Sequence, residues 1–134
     1  MYAQIRKKVV IVGRWTPYNP NPQHRSVGDC AVRACTVAAK MSWDETYMAL
    51  TLEGFGCCDL ISANHVWGKF LRKHGYTRDL IDDCTVDEFA AAHPKGTFVL
   101  ALSGHVVAVQ DGSYLDSWDS GAEVPIYYWH KESD

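Results

Sequence analysis

The apolar positions of the chain follow two periods. Between about Ala31 and His93 they recur three and four residues apart, which turns one face of a helix inward; from Thr97 onward they form short β-branched or aromatic runs separated by Gly-containing pairs. The first predicted helix begins at Cys30 and runs to about Met41, with Ala31, Ala34, Cys35 and Ala38 on one face. Residues this small let neighbouring elements approach the backbone closely, so this helix is expected to be central. Ser42-Trp43-Asp44-Glu45 has the form of a capping box and opens a second helix, with Trp43, Tyr47 and Leu50 on one face and Gly54 and Gly56 as its stop. A third helix is expected from Ser62 to His74, burying Val66, Trp67, Phe70 and Leu71 and ending at Gly75. Thr85-Val86-Asp87-Glu88 repeats the capping box and starts a short fourth helix that reaches about His93.

The strand-like runs are Thr97–Leu102, His105–Gln110, Ser113–Trp118 and Val124–Trp129, broken at Ser103-Gly104, Asp111-Gly112 and Ser120-Gly121. They read as a meander of antiparallel strands, and Asp111-Gly112 is a two-residue hairpin signal. Ahead of the helices, Val9–Val12 reads as a strand ended by Gly13. Thr16–Pro22 carries three prolines within six residues and reads as a loop that delivers the chain to Cys30. Helices first and strands last predict an α+β fold, the Cys30 helix packed on the late sheet.

Composition narrows the function. The length of 134 residues implies a single domain with a core of its own, 1–134. A formal charge of −3 shows no basic excess, so nucleic acid is not the expected partner. The apolar run Val9–Val12 is too short for a signal segment or a membrane span, and the chain is expected to be cytoplasmic with no membrane partner. Five cysteines at irregular spacing do not read as a disulfide framework. Cys57, Cys58 and Cys84 with His65 offer no CxxC or HxxxH pair, so neither a metal nor a cofactor is expected. Cys57 and Cys58 are expected in a loop beside Gly54 and Gly56.

Cys30 is where chemistry enters. A thiol in the first turn of a helix faces unpaired N–H groups and the positive end of the helix dipole, which lowers its pKa from about 8.5 into the range of roughly 3.5–7.5. With a two-residue turn at 111–112, residue 110 pairs with 113 and the same register places 107 opposite 116. Asp116 is then a diagonal neighbour of His105 on the same face, about 7–8 Å away between backbones and within side-chain reach. Such a histidine would take or hold the thiol proton and return it to a leaving group, with Asp116 fixing its orientation. Trp15, Tyr18 and Trp118 lie in or beside the predicted loops near this site, and core packing accounts for each.

The order of a helix-opening Cys, a late strand His preceded by Gly, and Asp116-Ser117-Trp118 on the next strand resembles the papain-like cysteine peptidase superfamily. Asp stands where papain relatives carry Asn, and Gly28-Asp29-Cys30 is similar to the Asp-Cys start of the bacteriocin-leader-processing peptidases. The resemblance implies a papain-like α+β fold and a peptide or protein substrate, hydrolysed at a peptide or isopeptide bond through a thioester on Cys30. It also implies an oxyanion donor, usually a Gln six residues before the nucleophile; that position is His24 here, and the glutamine is Gln23. Either Gln23 or His24 is then the donor, alongside the Cys30 backbone N–H. Transglutaminase-like acyl transfer uses the same three roles, and a catalytically inactive binding module on the same fold is the reading from another class. The residues say nothing of oligomeric state.

Overall fold

Helix boundaries follow the local signals closely, with two exceptions that have identifiable causes. A computed structural model describes residues 14–132, so the strand expected at Val9–Val12 lies outside the described residues. Helix α1, Cys30–Ala39, is buried from Ala31 through Ala38 and is the central helix. It stops two residues short of Met41 because Lys40 turns left-handed, at φ 57°, and returns its N–H to the carbonyls of Thr36 and Val37.

Helix α2, Trp43–Cys57, begins with the capping box of Ser42 and Glu45, but Gly54 and Gly56 do not end it. It runs through both and reverses at Cys58, φ 54°, so Cys57 belongs to the helix and only Cys58 to the turn. Gly54 serves a close approach instead: a Cβ there would lie 2.7 Å from the Asp59 carbonyl, where the following loop folds back over the last turn. Helix α3, Asn64–Lys73, buries Val66, Trp67, Phe70 and Leu71 and is followed by Gly75 at φ 90°. Helix α4, Val86–Ala92, starts at the second capping box, of Thr85 and Glu88. Among the described residues no helix is long and apolar enough to cross a membrane.

The strands are β1 (Trp15–Pro17), β2 (Thr77–Leu80), β3 (Thr97–Leu102), β4 (His105–Gln110), β5 (Ser113–Asp116) and β6 (Tyr127–His130). They form one mixed sheet in the order β1-β5-β4-β3-β6-β2. The expected meander fails at its last step, because β6 pairs with β3 and not with β5. The free edge of β5 is taken by β1, which runs parallel to it and places Pro17 beside Asp116. An edge strand tolerates the missing N–H of Pro17, so Thr16 and Pro17 of the segment read as loop join Trp15 in the sheet. Leaving β5, the chain passes the start of α4, where the Gly121 and Glu123 carbonyls accept the N–H groups of Asp87 and Val86. It then joins β3 through the Ile126 N–H and the Ala101 carbonyl. That detour shortens the last two strands to Ser113–Asp116 and Tyr127–His130. The other short strand, β2, closes the far edge against β6 and has no apolar alternation to announce it.

The sheet separates two apolar clusters. On one face α1, α2 and α3 pack against Val99, Ala101, Val106, Ala108 and Trp129; on the other, Val86, Phe89 and Ala90 of α4 meet Leu100, Leu102, Val107, Val109 and Tyr114. The first helix thus packs on the late strands as expected, and its N-terminus comes to rest by the start of β4.

Candidate active site

The β4–β5 turn sets the geometry of the site. Asp111 and Gly112 both have positive φ, 50° and 84°, as a two-residue hairpin requires. The pairs Gln110–Ser113, Val109–Tyr114 and Ala108–Leu115 keep the expected register, and the ladder stops one step before 107–116. Strict alternation would group His105 and Asp116 with Val107 and Tyr114 on the α4 side. Beyond the last ladder pair both side chains instead meet groups from the start of α1. His105 Nε2 donates to Asp116 Oδ2 at 2.7 Å. The same ring also acts on the Cys30 thiol, and each shifts the other's pKa.

Cys30 is the first residue of α1 and is half-buried. Burial alone would raise its pKa, but the hydrogen bond and charge of His105, the N–H of Val106 and the charge of Arg33 hold the thiol below its ordinary value. Burial would likewise lower the His105 pKa, and the bonds to Asp116 and Cys30 push it up to about 9. Asp116 is buried, yet the donors around it hold its carboxyl below the usual range. Both shifts run toward a thiolate beside an imidazolium. Cys35, wholly buried behind Cys30, and Cys84, close to Glu88, Asp82 and Asp83, are shifted the other way, burial being the main cause for each.

Four donors converge on Asp116. Oδ2 accepts from His105 and from Ser120 Oγ at 2.6 Å; Oδ1 accepts from the Ser117 N–H at 2.8 Å and Arg33 Nη2 at 3.2 Å. Its backbone carbonyl also takes Trp15 Nε1, at 3.0 Å, and the Tyr18 N–H, at 2.9 Å. Arg33 is buried and bridges two carboxylates, its Nη1 on Asp29 Oδ1 and its Nη2 on Asp116. The remaining oxygen of Asp29 accepts from Trp43 Nε1 at 2.9 Å. Sequence reasoning missed Arg33, Ser120 and Trp43. The one available signal was the i,i+4 spacing of Asp29 and Arg33.

Gln23 and His24 both lie exposed in the loop before α1. The loop is shaped by Asn21, whose side chain accepts the Gln23 N–H at 2.9 Å and whose carbonyl accepts the His24 N–H; His24 has φ 56°. Gln23 lines a cleft of about 800 Å³ with Gly28, Asp29, Trp43, Tyr47 and Met48, a lining that includes none of Cys30, His105 and Asp116. Of the aromatics assigned to the core, Trp15 and Tyr18 are tied down by hydrogen bonds, Tyr18 to Thr36 at 2.6 Å. Trp118 is not core: it is 45% exposed, its ring 5.1 Å from that of His105.

Among the described residues, no group of three or more metal-ligating side chains gathers in one place. Comparison with protein-family models, with curated proteins and with solved structures gives no match.

Proposed function

We propose that the chain is a papain-like cysteine hydrolase that cleaves a peptide or isopeptide bond, with Cys30 as nucleophile, His105 as acid and base, and Asp116 as the group that orients His105. The observation that supports it most is the meeting of three elements at His105: its Nε2 donates to Asp116 of β5 at 2.7 Å, and it lies close enough to Cys30 at the start of α1 to hold the thiol below its ordinary pKa.

The reaction follows from these positions. The Cys30 thiolate adds to the carbonyl carbon, and the electron pair moves to oxygen. The oxyanion is met by the Cys30 N–H and by a side-chain donor, Gln23 or His24. The C–N bond breaks as His105 delivers its proton to the leaving amine, giving a thioester. Water, deprotonated by His105, then adds to the thioester carbon and expels the thiolate. An amine in place of that water would make the same residues an acyl transferase.

The test is the alkylation rate of Cys30 by iodoacetamide against pH, in the native protein and in His105→Ala. The expected result is a rate plateau reaching well below pH 8 that collapses in the variant. A rate rising only above about pH 8 in both would mark an ordinary thiol and leave the fold as a binding module. Turnover of a peptide or ester has a second limit: it requires the His105 proton, so it rises as Cys30 ionises and falls as pH passes about 9.

A further inference from the structure

We propose that Arg33 is a positioning residue of this site, which holds Asp29 away from the N-terminus of α1 and Asp116 against His105 and so keeps the first-turn N–H groups open beside the thiol. The inference rests on reading Cys30 as the nucleophile.

Asp29 occupies the N-cap of α1, and aspartate there ordinarily accepts from the second or third N–H of the helix. Its side chain makes no such bond. Both of its oxygens are engaged elsewhere, one by Arg33 Nη1 and the other by Trp43 Nε1. The guanidinium is 7% exposed on its side chain, and its other arm holds Asp116 at 3.2 Å. A buried cation must be paired, but a buried ion pair is a weak source of stability, so stability alone gives little reason for the bridge.

Remove the guanidinium and Asp29 is left with one indole donor, its nearest unpaired donors being the first-turn N–H groups of α1. Capping them would bring the carboxylate onto the Ala31 or Val32 N–H and offset the positive helix end that favours the Cys30 thiolate. The charged and titratable groups around Arg33 are Asp29 and Cys30 at the start of α1, Asp116 from β5, and His105 from β4 behind it; α2 contributes the Trp43 indole, bound to Asp29. Against this set Arg33 both neutralises Asp29 and favours the thiolate directly.

The experiment is the pH profile of Cys30 alkylation by iodoacetamide in Arg33→Met, Asp29→Asn, the double variant and His105→Ala. In Arg33→Met the acid limb is expected to move up by about one pH unit, so that the rate at a fixed pH on the native acid limb falls about tenfold. The double variant should recover more than half of that loss, because the amide that replaces Asp29 carries no charge to the thiol. Asp29→Asn alone retains the guanidinium and does not depend on whether Arg33→Met folds; its acid limb should move down. An unmoved limb in Arg33→Met, no recovery in the double variant, or an upward or absent shift in Asp29→Asn overturns the proposal. His105→Ala separates the two levels of the argument: a native profile without a low-pH plateau, unchanged by that variant, removes the nucleophile reading itself.

Discussion

Helices α1 and α2 both start from a residue type suited to capping, and they use it in opposite ways. At α2 the Ser42 hydroxyl accepts from the Glu45 N–H at 3.1 Å, and the Glu45 carboxylate accepts from the Ser42 N–H at 3.1 Å. At α1 the Asp29 carboxylate is turned aside to Arg33 and Trp43, and the helix start has no side-chain cap. The difference lies one turn further on, where α1 carries Arg33 and α2 carries Thr46, whose hydroxyl simply donates back to the Ser42 carbonyl at 2.8 Å. A helix end closed by its own side chains adds stability and has nothing left to offer a ligand. An end held open keeps its positive pole and its donors, and here a thiol stands in front of them.

The comparison breaks most severely at Asp116. In Asp116→Asn, whichever way the amide turns, its NH₂ meets two donors where the carboxylate accepted both, and Arg33 and His105 lose their shared anion. We expect the acid limb of Cys30 alkylation to move up by about two pH units, a fall of about a hundredfold in rate at a fixed pH on the native limb, and unfolding to show a loss of about 1–3 kcal/mol. The pH dependence of stability should change too. Asp116, held low, contributes fully above the ordinary carboxylate value and loses its contribution as pH falls through its folded value. His105, raised from 6.5 to about 9, contributes fully below 6.5 and loses its contribution as pH rises through about 9. In Asp116→Asn the alkaline loss should shrink, which denaturant titrations at pH 6 and pH 10 would read; an undiminished loss would mean that Asp116 does not set the His105 proton.

Gln23 tests the open end from the substrate side. If Gln23 completes the oxyanion site with the Cys30 N–H, Gln23→Ala should slow turnover of an activated ester such as p-nitrophenyl acetate about tenfold, a reduced share of the usual loss because the ester needs less help than an amide. The pH profile of alkylation should not move, since no oxyanion forms in that reaction. Unchanged turnover in Gln23→Ala with a loss in His24→Ala would transfer the role to His24.

What the chain revealed in advance was its local chemistry. Both capping boxes, the Asp111-Gly112 turn and the small-residue face of α1 depend on neighbours within four residues, and all are present. From the turn alone, the register put Asp116 within reach of His105. The pairing of β6 with β3 was hidden because it depends on β1 occupying the edge of β5, a contact between residues about 100 positions apart. Gly54 was misread for a related reason: a glycine in a helix pattern signals a stop only when nothing is packed against it. Arg33 was overlooked because helical periodicity assigns a charge to solvent, while two buried carboxylates, one from a distant strand, hold this one inside.

The smallest effect belongs to the closed end, and it is the control on the whole comparison. Ser42→Ala removes the acceptor for the Glu45 N–H and one half of the capping box, at a cost of about 1 kcal/mol in unfolding free energy. Thr85→Ala at α4 should cost about the same, since the second box has the same bonds, at 2.8 and 3.1 Å. Neither change touches the Asp29–Arg33–Asp116 bridge, so the acid limb of Cys30 alkylation should stay within about 0.2 pH units of native, well under the shift of a unit or more that a lost charge partner produces. If Ser42→Ala moved that limb as far as Arg33→Met, the reactivity of Cys30 would be following the general stability of the helices, and an uncapped α1 would need no functional explanation.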